Sequence, residues 1–492
     1  MEYSNSSLNT ESSTKLLCKF PLQKKSKNLS YLTSHEQKEK ISFSSKMKLQ
    51  NSITIILLSF FSGISFISSL TLSLFLKDRL HFQPSQMAYI RLAQSFPWII
   101  RPLYGYISDF HPIFGLKRKS YLIILFIKYS LAWLILSYFS YHITMVFIAV
   151  VLVQFSLAFI AVVNRAIIIE TSKLYEDIDG KINEFVNISS MAQVIGKLVA
   201  SLFEGVIAEK FNPRYVFILS SFISAIVLIA AMLFIEKYEG FEKHDLFYSF
   251  ISTSSTSDFE VSSKKKENNS QKVFKKFICN YRVYPALLFV IIYNSVPSSQ
   301  SAVFFFSTNE LKISPIEMGY ISVLCNLSML ISMLIYKKYL QKVSWLKMLT
   351  VTTLINFIFG FPYITMNFNS SFRNFLLLIG RCSSAVIEQF AFTPFLCFAS
   401  MITPKNFLAT GTAIVTTCWN IGLTSSEAFS GILSAYLGIT SENFDNFYVL
   451  ILIERLGKVI TLVILCFVKV HVPKKRKTNR GNIYAEGKLT IN

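Results

Sequence analysis

"PWIIRPLYGYISDFHPIFGLKRKSYLIIL", residues 97–125, sets charge against apolar flanks. The stretch carries Arg101, Asp109 and the unbroken triplet Lys117-Arg118-Lys119, with Pro97, Pro102 and Gly105 ahead of the charges. Such a run reads as the end of one membrane-crossing helix, a short basic loop, and the start of the next.

Composition agrees with that reading along the whole chain. Of 492 residues, 52% are hydrophobic and 15% aromatic, and the mean hydropathy is +0.46. A soluble domain cannot hide that much apolar surface under a polar coat. Apolar runs of roughly 20 residues, each able to cross ~30 Å of hydrocarbon, recur throughout, whereas the short alternating segments of a membrane barrel do not. The expected class is an all-α polytopic membrane protein. The seven cysteines show no CxxC spacing and the six histidines no zinc pattern, so we read free packing thiols, no metal and no cofactor. No cleavable signal peptide is visible: the first 50 residues are polar, with nine Lys against four Glu.

Twelve spans are expected, at about 53–76, 87–108, 120–140, 143–166, 186–208, 215–235, 284–306, 317–336, 346–366, 373–396, 407–436 and 447–470. Only Tyr141 and His142 part the third from the fourth. The one long polar insert, 237–283, is rich in Ser and Lys and cannot bury a core. It divides the chain into a disordered basic tail (1–50), a six-helix bundle (51–236), a central loop (237–283), a second six-helix bundle (284–470) and a basic tail (471–492).

Net charge, +21, first suggests a nucleic-acid partner. Topology explains it better. With the N-terminus inside, and with Lys347 and Arg373 counted to their adjoining loops, 34 of the 49 Lys and Arg fall on cytosolic pieces. Six fall on the opposite side and nine within spans. That bias places both termini in the cytosol, where the basic loops meet anionic lipid of the bilayer. The basic residues form no single folded face, so nucleic acid is not an expected partner.

Major-facilitator-type carriers are built in this way, from two six-helix halves with both ends inside that rock about a midplane site; twelve spans alone do not separate such a carrier from a channel, a polytopic enzyme or a signalling receptor. Residues 97–108 end the second span, and Gly105, Asp109 and Arg118 form a candidate gating latch: Gly105 for close helix approach, Asp109 and Arg118 as an interfacial ion pair. A plain surface salt bridge is the alternative.

The wording is more specific than that pattern. Pro97-Trp98-x-x-Arg101-Pro102-Leu103-Tyr104-Gly105-x-x-Ser108-Asp109, followed by Pro112-Ile113-Phe114-Gly115-x-Lys117-Arg118-Lys119-Ser120-Tyr121-Leu122, resembles the folate–biopterin transporter family. So do "EKFNPRYVF" (209–217), "YKKYLQKVSWLKML" (336–349) and "LGITSENFDNFYVLILI" (437–453). The resemblance covers most of residues 53–470. It implies a carrier of folates, pteridines and related solutes, proton-coupled in several members. Two departures stand out. "AVVNRAIIIETSK" (161–173) keeps Glu170 but has Ala161 and Arg165 where the family's acids stand, and "ITPKNFLATGTA" (402–413) keeps Pro404 without the family's Gly and Glu.

Ionisable groups at the membrane centre need a partner or a water-filled cavity. Lys197 and Glu204 lie seven apart on the fifth span and share a face; Arg381 and Glu388 repeat the layout on the tenth. For an anionic solute, Arg101, Arg165, Lys197 and Arg381 are candidate cations, and Trp98, Phe390 and Trp419 candidate stacking surfaces. Glu204, Glu388 and Glu427 are candidate proton carriers. Each has a plainer reading: neutralisation of the paired charges by each other or by a charge in the opposite half, snorkelling of Arg91 and Arg165 to headgroups, aromatic packing. Glu454, Arg455 and Lys458 read as self-compensating on one helix.

The expected function is secondary transport of a folate- or pteridine-type organic anion by alternating access, with H+ as a candidate co-solute and the plasma membrane as the default location. Another polar metabolite as cargo, a non-transporting sensor, and a polytopic enzyme are the alternatives. For the enzyme the chain lacks any His-x-x-x-Asp, clustered His or phosphate-binding loop.

Overall fold

The computed structural model describes residues 22–236, 284–340, 343–360, 372–402 and 408–467. The expected central loop 237–283, the tail from 471 and the departure at Pro404 lie outside the described residues.

Two compact units are present, Met1–Leu49 and Gln50–Asn492. The first is helical from Leu22. That stretch reads as a tail by polarity, yet its Lys, Gln, Glu and Leu side chains lose little rotamer freedom in a helix.

In the second unit almost every described residue is helical, and the one bridged pair among the described residues is Ile113 with Leu116. The first expected span comprises the end of α1 (Leu22–Ile64), a 3-10 turn (Ser65–Ser68), α2 (Ser69–Leu74) and a π turn (Phe75–Arg79). Next come α3 (Pro84–Ile99), α4 (Arg101–Phe110), α5 (Lys119–Tyr138), α6 (Ile143–Ser172), α7 (Ile178–Lys210), α8 (Pro213–Ile223) and α9 (Ala225–Leu233). The second half holds α10 (Tyr284–Asn294), α11 (Gln300–Phe305), a π turn (Phe306–Glu310) and α12 (Pro315–Ile335). It continues with α13 (Trp345–Ile358), α14 (Arg373–Ile402), α15 (Leu408–Tyr436) and α16 (Phe447–Phe467). Each expected span therefore contains helix. Among the described residues, seven runs are long and apolar enough to cross a bilayer.

Prolines explain two breaks. Pro97 and Pro102 bracket Ile100, whose ψ of 14° parts α3 from α4, as a missing donor at each proline requires. The second break, between α10 and α11, sits at Pro297 within an expected continuous span. Its freed backbone groups are recaptured: Ser426 Oγ donates to the Val296 carbonyl at 2.6 Å, Ser430 Oγ to that of Ser298, and the Ser299 amide to Glu454 Oε2 at 3.0 Å. Broken helices survive in lipid only with such replacements.

The runs alternate in direction. Glu236, just beyond α9, reaches the start of α5, while Arg214 at the start of α8 lies over Tyr141, between α5 and α6. The end at which α4 turns into α5 is here the near end, the opposite one the far end.

The two halves meet along α7 against α12 and α3–α4 against α15. Their far ends are closed. A Cβ on Gly205 of α7 would lie 2.7 Å from the Pro315 carbonyl oxygen and 3.0 Å from the Gly319 Cα of α12; on Gly431 of α15 it would lie 2.9 Å from the Tyr89 ring. Glu209 accepts from the Ile316 amide at 3.2 Å, Lys77 donates to Asn309 at 2.8 Å, and Gln83 accepts from the Ser441 amide at 2.8 Å. Small residues let helix backbones approach this closely, and the gain is dispersion with no side-chain entropy lost. Gly105 is different: a Cβ there would meet only Val162 Cγ1, at 3.8 Å, an ordinary contact. The expected close approach is not made at Gly105.

Two outcomes follow. Gly205→Leu should part α7 from α12, so that a cysteine introduced at Ile316 in a cysteine-free background reacts severalfold faster with maleimide. An unchanged rate would show that this crossing does not seal the far end. Gly105→Ala should leave protein abundance unchanged, as measured by quantitative blotting.

Candidate functional site: charges at the divide

At the near end the chain reverses through Ile113–Leu116, where Phe114 and Gly115 take positive φ of 54° and 74°. The tight turn delivers Arg118 to the N-terminus of α5. Its guanidinium donates to Asp109 at the end of α4, to Glu170 of α6 at 2.9 Å and to Ser108 Oγ at 2.7 Å. Arg118 is only 5% exposed. Burial alone would weaken its hold on the proton, but the Glu170 and Asp109 carboxylates more than offset that and keep its pKa above the ordinary value. The amides of Lys117, Arg118 and Lys119 all donate to the Glu236 carboxylate, at 2.6–3.1 Å. A carboxylate at a helix N-terminus satisfies orphan amides and opposes the dipole. The Asp109–Arg118 ion pair thus exists, within a larger cluster than expected. Glu170 and Glu236 join it, and nothing in their local sequence marks them as its partners.

Between the halves the expected charges converge in a crossed pattern. Lys197 of α7 lies within electrostatic reach of Glu388 on α14, and Glu204 of α7 within reach of Arg381 on α14. Each of these two groups thus lies in the field of a charge on the other half, with no salt bridge closing either couple among the described residues. Close packing sets Lys197 in place: a Cβ on Gly63 of α1 would lie 2.8 Å from the Gly196 Cα, and the adjacent Lys197 Nζ sits 4.7 Å from the Phe66 ring centroid. Glu204 is 5% exposed, with the hydroxyls of Ser69 and Ser322 facing its carboxylate. Beside it a cavity of about 40 Å³, room for a few water molecules, is lined by Leu70 from the first half. From the second come Phe304, Ser307, Met318, Ile321, Ser322, Leu377 and Arg381. The thiols of Cys325 and Cys382 approach to 3.8 Å next to Arg381.

Glu427 of α15 faces Arg91 of α3, and its buried Oε2 has no hydrogen-bond partner. Arg91, for which snorkelling to headgroups was the expectation, lies within electrostatic reach of Glu427 and Arg381 of the other half. A position near a span's end is compatible with both fates, so the sequence could not separate them. Glu454 keeps its helical neighbour Lys458 at 3.5 Å, yet also accepts from the Ser299 hydroxyl at 2.5 Å. Arg455 donates to Asn356 at 2.5 Å and Ser384 at 3.5 Å. These charges are self-compensating only in part; they also tie α16 to α11, α13 and α14.

Trp98 and Arg101 form a shelf on the first half. The guanidinium carbon of Arg101 stands 4.2 Å from the Trp98 ring centroid, and the indole N–H donates to Gln154 at 3.2 Å. Asn420 and Thr417 of α15 donate to the carbonyls of Trp98 and Ile99, at 3.1 and 3.3 Å. Arg165 of α6 lies within electrostatic reach of Arg101. Trp419 is placed elsewhere. It is 6% exposed in an aromatic cluster, 5.2 Å from Phe392 and 4.9 Å from Phe395, so its faces are occupied by packing.

Comparison with known proteins fits this architecture. A Synechocystis folate-biopterin transporter is 24% identical over 87% of this chain and 84% of its own length. Folate transporter 2 of Plasmodium falciparum is 26% identical over 87% and 91%. Among solved structures, a nucleoside transporter, NupG, superposes with a TM-score of 0.59 at 13% identity, over 86% of this chain and 99% of that one. A POT family transporter in complex with 5-aminolevulinic acid reaches 0.62 at 14% identity, over 85% of this chain and 96% of that one. At such identity the structures speak for the fold, which is of the major-facilitator type. The model of the BT1 family matches residues 62–484, and the chain therefore belongs to the BT1 family.

Proposed function

We propose that this protein is a secondary active transporter that moves a folate- or pteridine-type anion across a membrane by alternating access, as twelve spans in two bundles of six with both termini in the cytosol. The observation that carries the proposal is a divide closed at its far end by Gly205 against α12 and Gly431 against Tyr89, with Lys197 within electrostatic reach of Glu388 and Glu204 of Arg381 across it. Charges buried between two halves bind those halves together only while each has its partner. An anionic solute that draws Lys197 or Arg381 away from its carboxylate weakens the closed state and is exchanged for it. Differential contact of this kind is what a solute needs in order to shift a two-state equilibrium.

The names of the relatives support a folate-type cargo, and the basic-residue bias supports the orientation. Glu204, Glu388 and Glu427 are the carboxyls available to carry H+. The latch of Asp109 and Arg118, joined by Glu170, holds the near end in register, and Gly105 adds no close contact to it. The plasma membrane is the proposed location.

The direct test is uptake of labelled folate and biopterin into cells expressing the full chain, at acidic and neutral pH. Uptake above control, faster in acid, is expected; none for either solute, with protein confirmed at the membrane, would refute the reading. The pairing has its own test. Lys197→Gln should lower uptake about tenfold, the loss of one charge-assisted contact, and should also lower abundance by leaving Glu388 alone. Abundance should return in the double variant with Glu388→Gln but not with Glu204→Gln. Rescue by Glu204→Gln instead would place the partnership within α7.

A further inference from the structure

Two thiols meet inside the second half. Cys325 of α12 and Cys382 of α14 bring their Sγ atoms to 3.8 Å, and both residues are half-buried rather than sealed in packing. A sulfur–sulfur bond spans about 2.05 Å, so roughly 1.8 Å of closure separates the pair from a disulfide. Side-chain rotation with a small shift of two packed helices supplies that distance.

The thiols border the small cavity at the divide. Ser322, one turn before Cys325, lines it, and so does Arg381, the residue before Cys382. Met318 and Ile321 of α12 and Leu377 of α14 add to the lining, so α12 and α14 are two of its walls and the sulfurs bridge them. The same turn of α12 touches the first half, where Asn326 Nδ2 donates to the Lys197 carbonyl at 3.4 Å. Reactive thiols occur in partly exposed, electropositive surroundings, and the Arg381 guanidinium supplies the positive charge here. A cavity of about 40 Å³ admits water, and hydrogen peroxide is little larger than water.

We propose that Cys325 and Cys382 are a redox-active dithiol that hydrogen peroxide closes to a disulfide, and, resting on the transport reading above, that the closed form halts transport until a thiol reductant reopens it. One thiolate attacks a peroxide oxygen, the O–O bond breaks and hydroxide leaves, giving a sulfenic acid. The second thiol then attacks that sulfur, the S–O bond breaks and water leaves. In total two thiols give up two electrons and two protons, and one peroxide becomes two waters. The effect on transport follows from size. A solute of folate dimensions needs a cavity of several hundred Å³, far more than the space found here, so the walls must move apart during a cycle. A covalent bond between α12 and α14 opposes that movement.

Peptide mapping of the purified full-length protein tests the chemistry. After brief treatment with hydrogen peroxide and alkylation of the remaining thiols, a non-reduced digest should contain a Cys325–Cys382 linked peptide that dithiothreitol abolishes. Both cysteines recovered as separately alkylated peptides, or either one joined to a different cysteine, would overturn the dithiol. In cells expressing the full chain, folate uptake should fall severalfold after peroxide and return with dithiothreitol. Cys325→Ala and Cys382→Ser should each keep their uptake through the same treatment. A linked peptide with undiminished uptake, or an equal fall in both variants, would overturn the arrest. A linked peptide in a protein that takes up no folate before treatment would support the dithiol and remove the transport reading instead.

Discussion

An ion taken out of water must find an opposite charge nearby, and in this protein several such charges sit on the other half of the molecule. Lys197 lies within electrostatic reach of Glu388, Glu204 of Arg381, and Arg91 of Glu427. On the proposed reading, the cost of burial becomes a force between bundles that is lost when the partners part. A fold with these charges paired inside each half would be stable too, but it would have no reason to hold the halves together or to release them on demand.

Backbone geometry sets how close those partners come. Gly63 against Gly196 brings α1 onto α7 and fixes Lys197 beside Phe66; Gly205 against Gly319 brings α7 onto α12 at the far end. Serines play the complementary part at the Pro297 break, where Ser426 and Ser430 replace the backbone donors that the unwound segment loses. At the near end Arg118 unites Asp109, Glu170 and Ser108, while Glu236 covers the start of α5. Packing by small residues sets the distances, and charge then determines which arrangement persists.

Much of this was legible in the sequence. Hydropathy located the helical runs, and the prolines at 97 and 102 marked a real break at Ile100. The Asp109–Arg118 pair followed from its motif and loop position. The seven-residue spacing of Lys197 and Glu204, and of Arg381 and Glu388, correctly gave each pair a common face. Which partner each would choose was not legible, because spacing along one helix says nothing of the helix opposite. For the same reason Arg91 passed for an interfacial residue and Gly205 and Gly319 passed unnoticed, while Gly105 was credited with a close contact it does not make. Trp419 shows the limit for aromatics: a ring in a span packs against Phe392 and Phe395 as readily as against a solute.

The account stands or falls on whether the far end opens. Spin labels at Tyr215 and Tyr320, both exposed at far-end helix starts on opposite halves, would report the separation by pulsed dipolar spectroscopy in the purified full-length protein. A second, longer distance that gains population when saturating folate is added is the result expected of halves held by exchangeable charge. A single distance, unmoved by solute or by neutralising Lys197 and Glu388 together, would contradict it.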